Sequence, residues 1–446
     1  MLPREESTPT AKSHPVEKSV NQKQEASRVR RFALKDPNIL YSLLTQITNK
    51  APGLVAAMIL TRIFSMDEMG GFFFASAYVY FFSILVAFGT NIHLVRSVAS
   101  NPEHGLDRLG EVLALRLPLT LAAFIVLNCF ALVFASDLFL VVLLTSLHIL
   151  LGDLSHSFGA YLCGRQQFRL RFLLALTGPA FLVSGVVLAV YLGANLVQIL
   201  SVYVAASVVM LTVHMLAVNR YYGCISLPRG GEALWKVMLL CWPILLLDAL
   251  QIVQFKIDTL MLYLLASTEA VAQYETAYRL LEVTRLTVRP LAVVAFPVCV
   301  ALATRNQWQD INRLILKVVA VAAALGCVLS LVVHAAPNSI MALIWGEDYR
   351  GAGDVLQILF LTAPLLLVGV VCAGLATAIH LERHLILVML GATVLNLSLN
   401  VWAIPNWGAD GAAWATLTTE AFIVLGLAFI WHRTLSAHIN QSTIKT

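Results

Sequence analysis

Twelve apolar segments, each long enough to cross a bilayer, occupy most of the chain. They lie near 38–63, 71–93, 112–134, 137–161, 172–192, 196–218, 235–262, 270–301, 314–336, 353–379, 384–404 and 412–433. About 20 residues make one helical crossing. Backbone polar groups in lipid must be satisfied within their own segment, so the expected fold class is an all-α integral membrane protein with twelve transmembrane helices. The composition leaves no soluble alternative. The 446 residues are 59% hydrophobic and 12% charged, with mean hydropathy +0.80, against about 25% charged in a soluble domain. The seven cysteines show no CxxC pair and no metal-ligand spacing, so they read as small apolar packers.

The basic residues supply an orientation. With the N-terminus in the cytoplasm, 23 of the 30 Lys and Arg fall in the two tails or in the inner loops and their borders. Arg96, Arg108 and Arg116 form one such group, and Arg165, Arg169 and Arg171 another. Arg62 and Arg350 fall outside, where Asp67, Glu68, Glu347 and Asp348 dominate. This is a positive-inside pattern, and it places both termini in the cytoplasm. Residues 1–37, with eight basic residues, read as a disordered cytoplasmic tail that could touch anionic lipid or an assembly partner. The late, long first apolar run is not a cleavable signal. The net charge of +5 does not signal nucleic acid, since its placement follows the membrane.

Twelve crossings suggest six and six. At an offset of 201, Glu68 aligns with Glu269, Gly71 with Ala272, Phe73 with Tyr274 and Ser76 with Ala277. An even number of spans per repeat makes the halves parallel, related by a pseudo-two-fold axis along the membrane normal. The expected organisation is an N-terminal six-helix bundle (38–218), a cytoplasmic linker (219–234), a C-terminal six-helix bundle (235–433) and a cytoplasmic tail (434–446).

Five basic residues fall inside spans: Lys50, Lys256, Arg279, Arg285 and Arg289. One charge at the centre of a spanning helix costs about 2.5–3.5 kcal/mol on insertion scales. The eighth segment, "YETAYRLLEVTRLTVRP", carries Glu275, Arg279, Glu282, Arg285 and Arg289. Positions 275, 279, 282, 286 and 289 share one helical face, with Arg285 beside it. That face must meet protein or water. Two readings stay open. Glu275–Arg279 and Glu282–Arg285 have ion-pair spacing, which would make the stripe structural. Alternatively, the basic excess builds a partly cationic cavity, whose arginine forks suit an anionic, phosphate-bearing substrate. The seventh segment adds Asp248, Gln251, Gln254 and Asp258, and the first adds Gln46 and Asn49. Asp153 and Glu420 are further intramembrane carboxylates. Either could carry a coupling proton or simply hydrogen-bond a neighbouring helix. No P-loop, HExxH, GxSxG or metal-spaced acidic pair occurs, so no enzyme activity, cofactor or metal is expected.

Four stretches in order carry a family resemblance: "LTRIFSMDEMGGFFFASA" (60–77), "FKIDTLMLYLLASTEAVAQYETAYRL" (255–280), "IWGEDYRGAGDVLQIL" (344–359) and "NLSLNVWAIPNWGADGAAWAT" (396–416). Together they resemble the polysaccharide-export branch of the multidrug/oligosaccharidyl-lipid/polysaccharide exporter superfamily, across residues 38–433. Phe64 and Ser65 stand where that family often has Leu-Gly. The resemblance implies a bacterial inner-membrane flippase for undecaprenyl-pyrophosphate-linked oligosaccharides, such as O-antigen or exopolysaccharide repeat units. It implies two six-helix bundles around a central cavity and alternating access. Lys50, Lys256, Arg279, Arg285 and Arg289 would then hold the pyrophosphate and anionic sugars. Asn49, Asn91, Gln251, Gln254 and Tyr274 would hydrogen-bond sugar hydroxyls. Asp258 and Glu282, with Asp153 and Glu420, would orient the basic groups or couple to a proton or sodium ion. The implied partners are the lipid-linked glycan, membrane lipid and other polysaccharide-assembly proteins. The alternatives are an ion-coupled drug or cation antiporter of the same superfamily and a membrane glycan polymerase or ligase. The first would favour acidic and aromatic cavity residues, the second a large outer loop.

Overall fold

The computed structural model describes residues 37–226, 231–379 and 381–444; a few side chains within its helices, Arg289 among them, lie outside the described set. Residues 1–36, which hold nearly all of the expected tail, also lie outside it. The main elements are α1 (Pro37–Leu60), α2 (Met66–Ala87), α3 (Thr90–Ser100), α4 (Gly105–Phe134), α5 (Phe139–Gly164), α6 (Phe168–Ala175), α7 (Thr177–Tyr191) and α8 (Leu196–Tyr222). After residues 227–230 come α9 (Gly231–Leu265), α10 (Thr268–Thr304), α11 (Trp308–Ala335), α12 (Pro337–Trp345), α13 (Gly353–Leu361), α14 (Ala363–Ala378) and α15 (Glu382–Ile444). No strand occurs among the described residues.

These helices need lipid. Leu121, Phe134, Leu331 and Leu425 turn outward, each at least 61% exposed. An apolar surface that continuous is stable only against a membrane. All seven cysteines are free; Cys241, Cys299 and Cys372 are buried packers, while Cys129 and Cys327 face outward.

Among the described residues, seven helices are long and apolar enough to cross a membrane, and nine if each of two bent pairs is one crossing. The difference from the twelve expected segments has physical causes. α1 carries Thr45, Gln46, Asn49 and Lys50 mid-helix, and α10 carries its charged stripe, so neither reads as uniformly apolar. α15 is continuous in name but reverses direction. Gly408 breaks its helical geometry with φ 54° and ψ −127°, a conformation open to glycine. Beyond it, a Cβ on Gly411 would sit 2.3 Å from the Ala403 carbonyl oxygen. Gly391 likewise faces Phe422, and Gly426 faces Val388. These pairs all close about residue 407, so α15 is a hairpin of two antiparallel helices. The second arm runs to Ile444, past the expected start of the tail at 434.

Packing within the first half centres on α5, which lies against α8, α2, α4 and α3; α1 rests on α6 and α7. In the second half α14 packs on α11, α10 and α15. α2 connects the halves by lying against both α9 and α10. α9 bends by 43° after Leu246. Its first part sets Val237 and Cys241 against Leu115 and Leu119 of α4, and its second part packs on α15.

The two helix starts that the sequence offset aligned carry similar caps. Ser65 caps α2 by accepting from the Glu68 amide, while the Glu68 side chain accepts from the Ser65 amide. Ser267 caps α10 by accepting from the Ala270 amide at 3.1 Å. Each cap satisfies an orphan amide of a first turn. The caps stand at 65 and 267, one residue further apart than the offset of 201 read from the sequence. The two starts touch. Thr268 donates to Asp67, and a Cβ on Gly70 would sit 1.9 Å from the Thr268 carbonyl oxygen. At the same end Arg62 donates to the Leu343 carbonyl, and Phe74 stacks on Tyr263 with ring centroids 3.6 Å apart. On the nearby loop Arg350 donates to both Glu347 oxygens at 2.8 and 3.0 Å. That contact holds the Glu347 carboxyl below its ordinary range.

Candidate functional site

α10 presents its charges to α1, α2 and α9. At the deep end, Glu275 is 1% exposed. It accepts from Lys256 Nζ at 2.9 and 3.2 Å and from Thr259. Arg279 Nε approaches the same carboxylate at 3.9 Å, the longer and weaker contact. The Arg279 guanidinium lies 4.5 Å from the Phe73 ring of α2. One turn on, Lys50 of α1 donates to Glu282 Oε1 at 2.6 Å, with both side chains substantially exposed. Arg285 does not meet Glu282 as its spacing suggested; its guanidinium lies 4.1 Å from the Phe255 ring of α9. A cation over an aromatic face keeps its N–H groups for another partner.

Part of the stripe is thus ion-paired. Glu275 is neutralised in place. Lys50, Arg279 and Arg285 stand at the junction of the halves with Glu282 among them. The backbone of Arg289 continues this helix, but its side chain lies outside the described residues.

Asp258 is built differently. It is 2% exposed and accepts from Tyr274 Oη at 2.7 Å, from Thr416 Oγ1 at 3.2 Å and from Asn400 Nδ2. Asn400 also donates to Asn396 Oδ1 at 3.1 Å, and its own Oδ1 is buried without a partner. Asp258 therefore sits in a closed polar knot of α9, α10 and both arms of α15. Tyr274, expected to bind sugar, is instead 1% exposed inside this knot.

The other expected residues scatter. Gln254 is buried with an unpartnered Nε2, and Gln251 on the same helix is exposed. Glu420 is half-buried on α15, close to Gly369 of α14. Asp153 lies 3.6 Å from the His156 ring, far less enclosed than Asp258. Asn49 and Asn91 line a separate cavity of about 440 Å³ enclosed by α1, α3, α5, α6 and α8. Asn91 Oδ1 there accepts from Arg116 Nη1 at 3.0 Å.

Arg116 was read from the sequence as an inner-border residue. It is 0% exposed and also donates to Ser157 at 2.6 Å. Its Nε and Nη2 have no hydrogen-bond partner. α4 begins at Gly105, which carries Arg116 three turns into the helix. There it shares a face with Leu109, Val112 and Leu113, all buried. That spacing was available in the sequence; the helix start was not.

Comparison with known proteins follows the same lines. A family model described as "Polysaccharide biosynthesis protein" matches residues 37–302, and a second, MatE, matches 243–402. No curated protein matches the sequence. Among solved structures, the chain is similar to an inward-facing multidrug resistance MATE family transporter of the MOP superfamily. That match has 14% identity, covers 91% of this chain and 96% of that one, and has TM-score 0.69. It is also similar to the lipid II flippase MurJ in an inward closed conformation, with 15% identity, 88% and 87% coverage and TM-score 0.70. A MOP superfamily transporter from Pyrococcus furiosus, described by the reverse polarity of its binding pocket, matches at 13% identity over 90% and 97%, with TM-score 0.62. These likenesses show that the chain shares the fold of the MATE transporter and of the MurJ flippase.

Proposed function

The chain belongs to the polysaccharide biosynthesis protein family, and from that premise we propose that it is a flippase for undecaprenyl-pyrophosphate-linked oligosaccharide, an O-antigen or exopolysaccharide repeat unit. Twelve helices cross the bacterial inner membrane in two bundles of six, with both termini in the cytoplasm. α2 with α3, α6 with α7, α13 with α14 and the two arms of α15 each count in this scheme as the sequence segments did. The observation that carries the reading is the charge balance at the junction. Lys50, Lys256 and Arg279 pair with two carboxylates, Glu275 and Glu282, while Arg285 lies over Phe255 without an ion pair, which supports a locally basic patch where the halves face one another. Arg279 and Arg285 supply planar donors that match diphosphate oxygens.

Transport then proceeds by alternating access. The glycan and diphosphate pass between the bundles while the prenyl tail stays in lipid. The seam formed by Arg62, Asp67 and Thr268 would close the outer side. Asp258 is the coupling position. A carboxylate enclosed with Tyr274, Thr416 and the unpartnered Asn400 oxygen suits a proton or a small hard cation with oxygen ligands, such as sodium. Binding there would bias the packing of α9 against α15.

The MatE match over 243–402 and the fold of the multidrug MATE transporter support a second reading, an ion-coupled drug antiporter. Mass spectrometry of lipid extracts from cells lacking the protein separates the two. Accumulation of a diphosphate-linked glycan on the cytoplasmic leaflet supports the flippase and gives the glycan's mass. No accumulation, together with new drug sensitivity, moves the antiporter forward.

A further inference from the structure

The cavity of the first half is unlike the junction. Its volume of about 440 Å³ lies within the roughly 300–1,000 Å³ of small-ligand sites. Arg96, Arg171, His156 and His214 contribute to its wall, and no Asp or Glu lines it among the described residues. Neither Arg96 nor Arg171 takes part in an ion pair among those residues, whereas Lys50 and Lys256 both do. His214 donates through Nδ1 to the Met210 carbonyl at 2.8 Å, which leaves Nε2 as the ring's other polar atom. Ser155, 0% exposed, lines the same space with an Oγ that has no partner.

Behind the wall stands Arg116. Its charge is fully buried, and its Nη1 fixes Asn91 while Nε and Nη2 remain unmatched. Burying a guanidinium is costly unless the site gains an anion or a specific orientation from it. Asp153 is the nearby carboxylate; it does not line the cavity and lies 3.6 Å from His156, which does. The charged groups that line the cavity itself, Arg96 and Arg171, are therefore basic, and they face a single space.

We propose that this cavity is a second anion site, which takes a diphosphate group. It deepens the flippase reading: such a group would dock here, within the first half, apart from the ion-paired stripe. Arg96 and Arg171 would contact the phosphate oxygens, Asn49 would face the attached group, and Arg116 would act as a positioning residue through Asn91. The diphosphate could arrive on a lipid or free, and the chemistry of recognition is the same.

Equilibrium binding tests this without requiring transport. Full-length protein in neutral phosphocholine nanodiscs is titrated with farnesyl diphosphate, with inorganic diphosphate and with phosphatidylglycerol. Farnesyl diphosphate is expected to bind, and Arg96→Gln or Arg171→Gln each to weaken it about tenfold or more, the loss of one charge-assisted hydrogen bond set. Arg313→Gln, an exposed arginine paired with Asp310 elsewhere, is expected to leave binding unchanged. Inorganic diphosphate much weaker than the farnesyl form assigns the site to a lipid-borne group, and equal affinity assigns it to the free anion. Absence of diphosphate binding, equal binding of phosphatidylglycerol, or equal losses in Arg313→Gln would overturn the proposal. A flippase that failed the lipid-extract experiment could still bind diphosphate here, so the two readings fail separately.

Discussion

The junction stripe and the first-half cavity hold similar numbers of basic groups, and they differ in what those groups already hold. At the junction, Lys256 is committed to a buried carboxylate and Lys50 to an exposed one. In the cavity Arg96 and Arg171 are uncommitted among the described residues, and the buried Arg116 is only partly satisfied. Counting basic residues along a helix therefore overstates one anion site and misses another. What matters is the difference between cations and the carboxylates within reach of them.

The sharpest way to break that comparison is to remove the buried partner. Glu275→Ala leaves Lys256 and Arg279 without their shared counter-charge. Removing one member of a buried pair costs about 3–5 kcal/mol, so membrane abundance and the unfolding midpoint of the purified protein are expected to fall sharply. A midpoint unchanged from wild type would mean that water already screens Glu275. Next in size is Gly411→Ala. Its Cβ has backbone, not a flexible side chain, 2.3 Å away, and overpacking of this kind costs about 1–3 kcal/mol. Thermal unfolding should report it, and Gly374→Ala, which meets nothing within 4 Å, is the matched control. Then comes the Arg285–Phe255 contact, where Phe255→Leu is expected to cost about 0.5–2 kcal/mol. The same change in an Arg285→Gln background should cost less. The smallest effect is expected at Lys50–Glu282. A double-mutant cycle with Lys50→Gln and Glu282→Gln should return a coupling of about 0.2–1 kcal/mol, as exposed pairs do. A coupling as large as that of Glu275 would make the two ends of the stripe equivalent.

Helical class was legible, because apolar length is a direct physical requirement of a bilayer, and among the described residues seven to nine helices are long and apolar enough to cross one. The break between the last two apolar segments, after 404 and before 412, was legible too, and the chain reverses there at Gly408. The stripe on α10 was legible as a face. Its partners were not: Glu282 had a favourably spaced Arg285 on its own helix, yet it bonds Lys50 of α1, more than two hundred residues away. Helical spacing reports what is near in sequence, and a neighbouring helix can offer a better-placed donor. Tyr274 shows the same limit. A tyrosine beside a charged face reads as a ligand contact, but Asp258 and Thr416 had already claimed its hydroxyl. Arg116 was missed because charge near a segment end reads as interfacial until the helix start is known.

The contact between Gly70 and the Thr268 carbonyl has a consequence for how populations could be tuned. It joins main chain to main chain across the two halves, at the end that is closed. A methyl group there has no flexible neighbour to push aside, so Gly70→Ala acts as a wedge that raises the energy of the closed seam alone. In any conformer where that seam has parted, the same methyl costs almost nothing. The substitution would then behave as a built-in ligand for the opposite state. Each about 1.4 kcal/mol of wedge energy would shift the ratio of the two states tenfold, without altering a single residue that could touch the cargo.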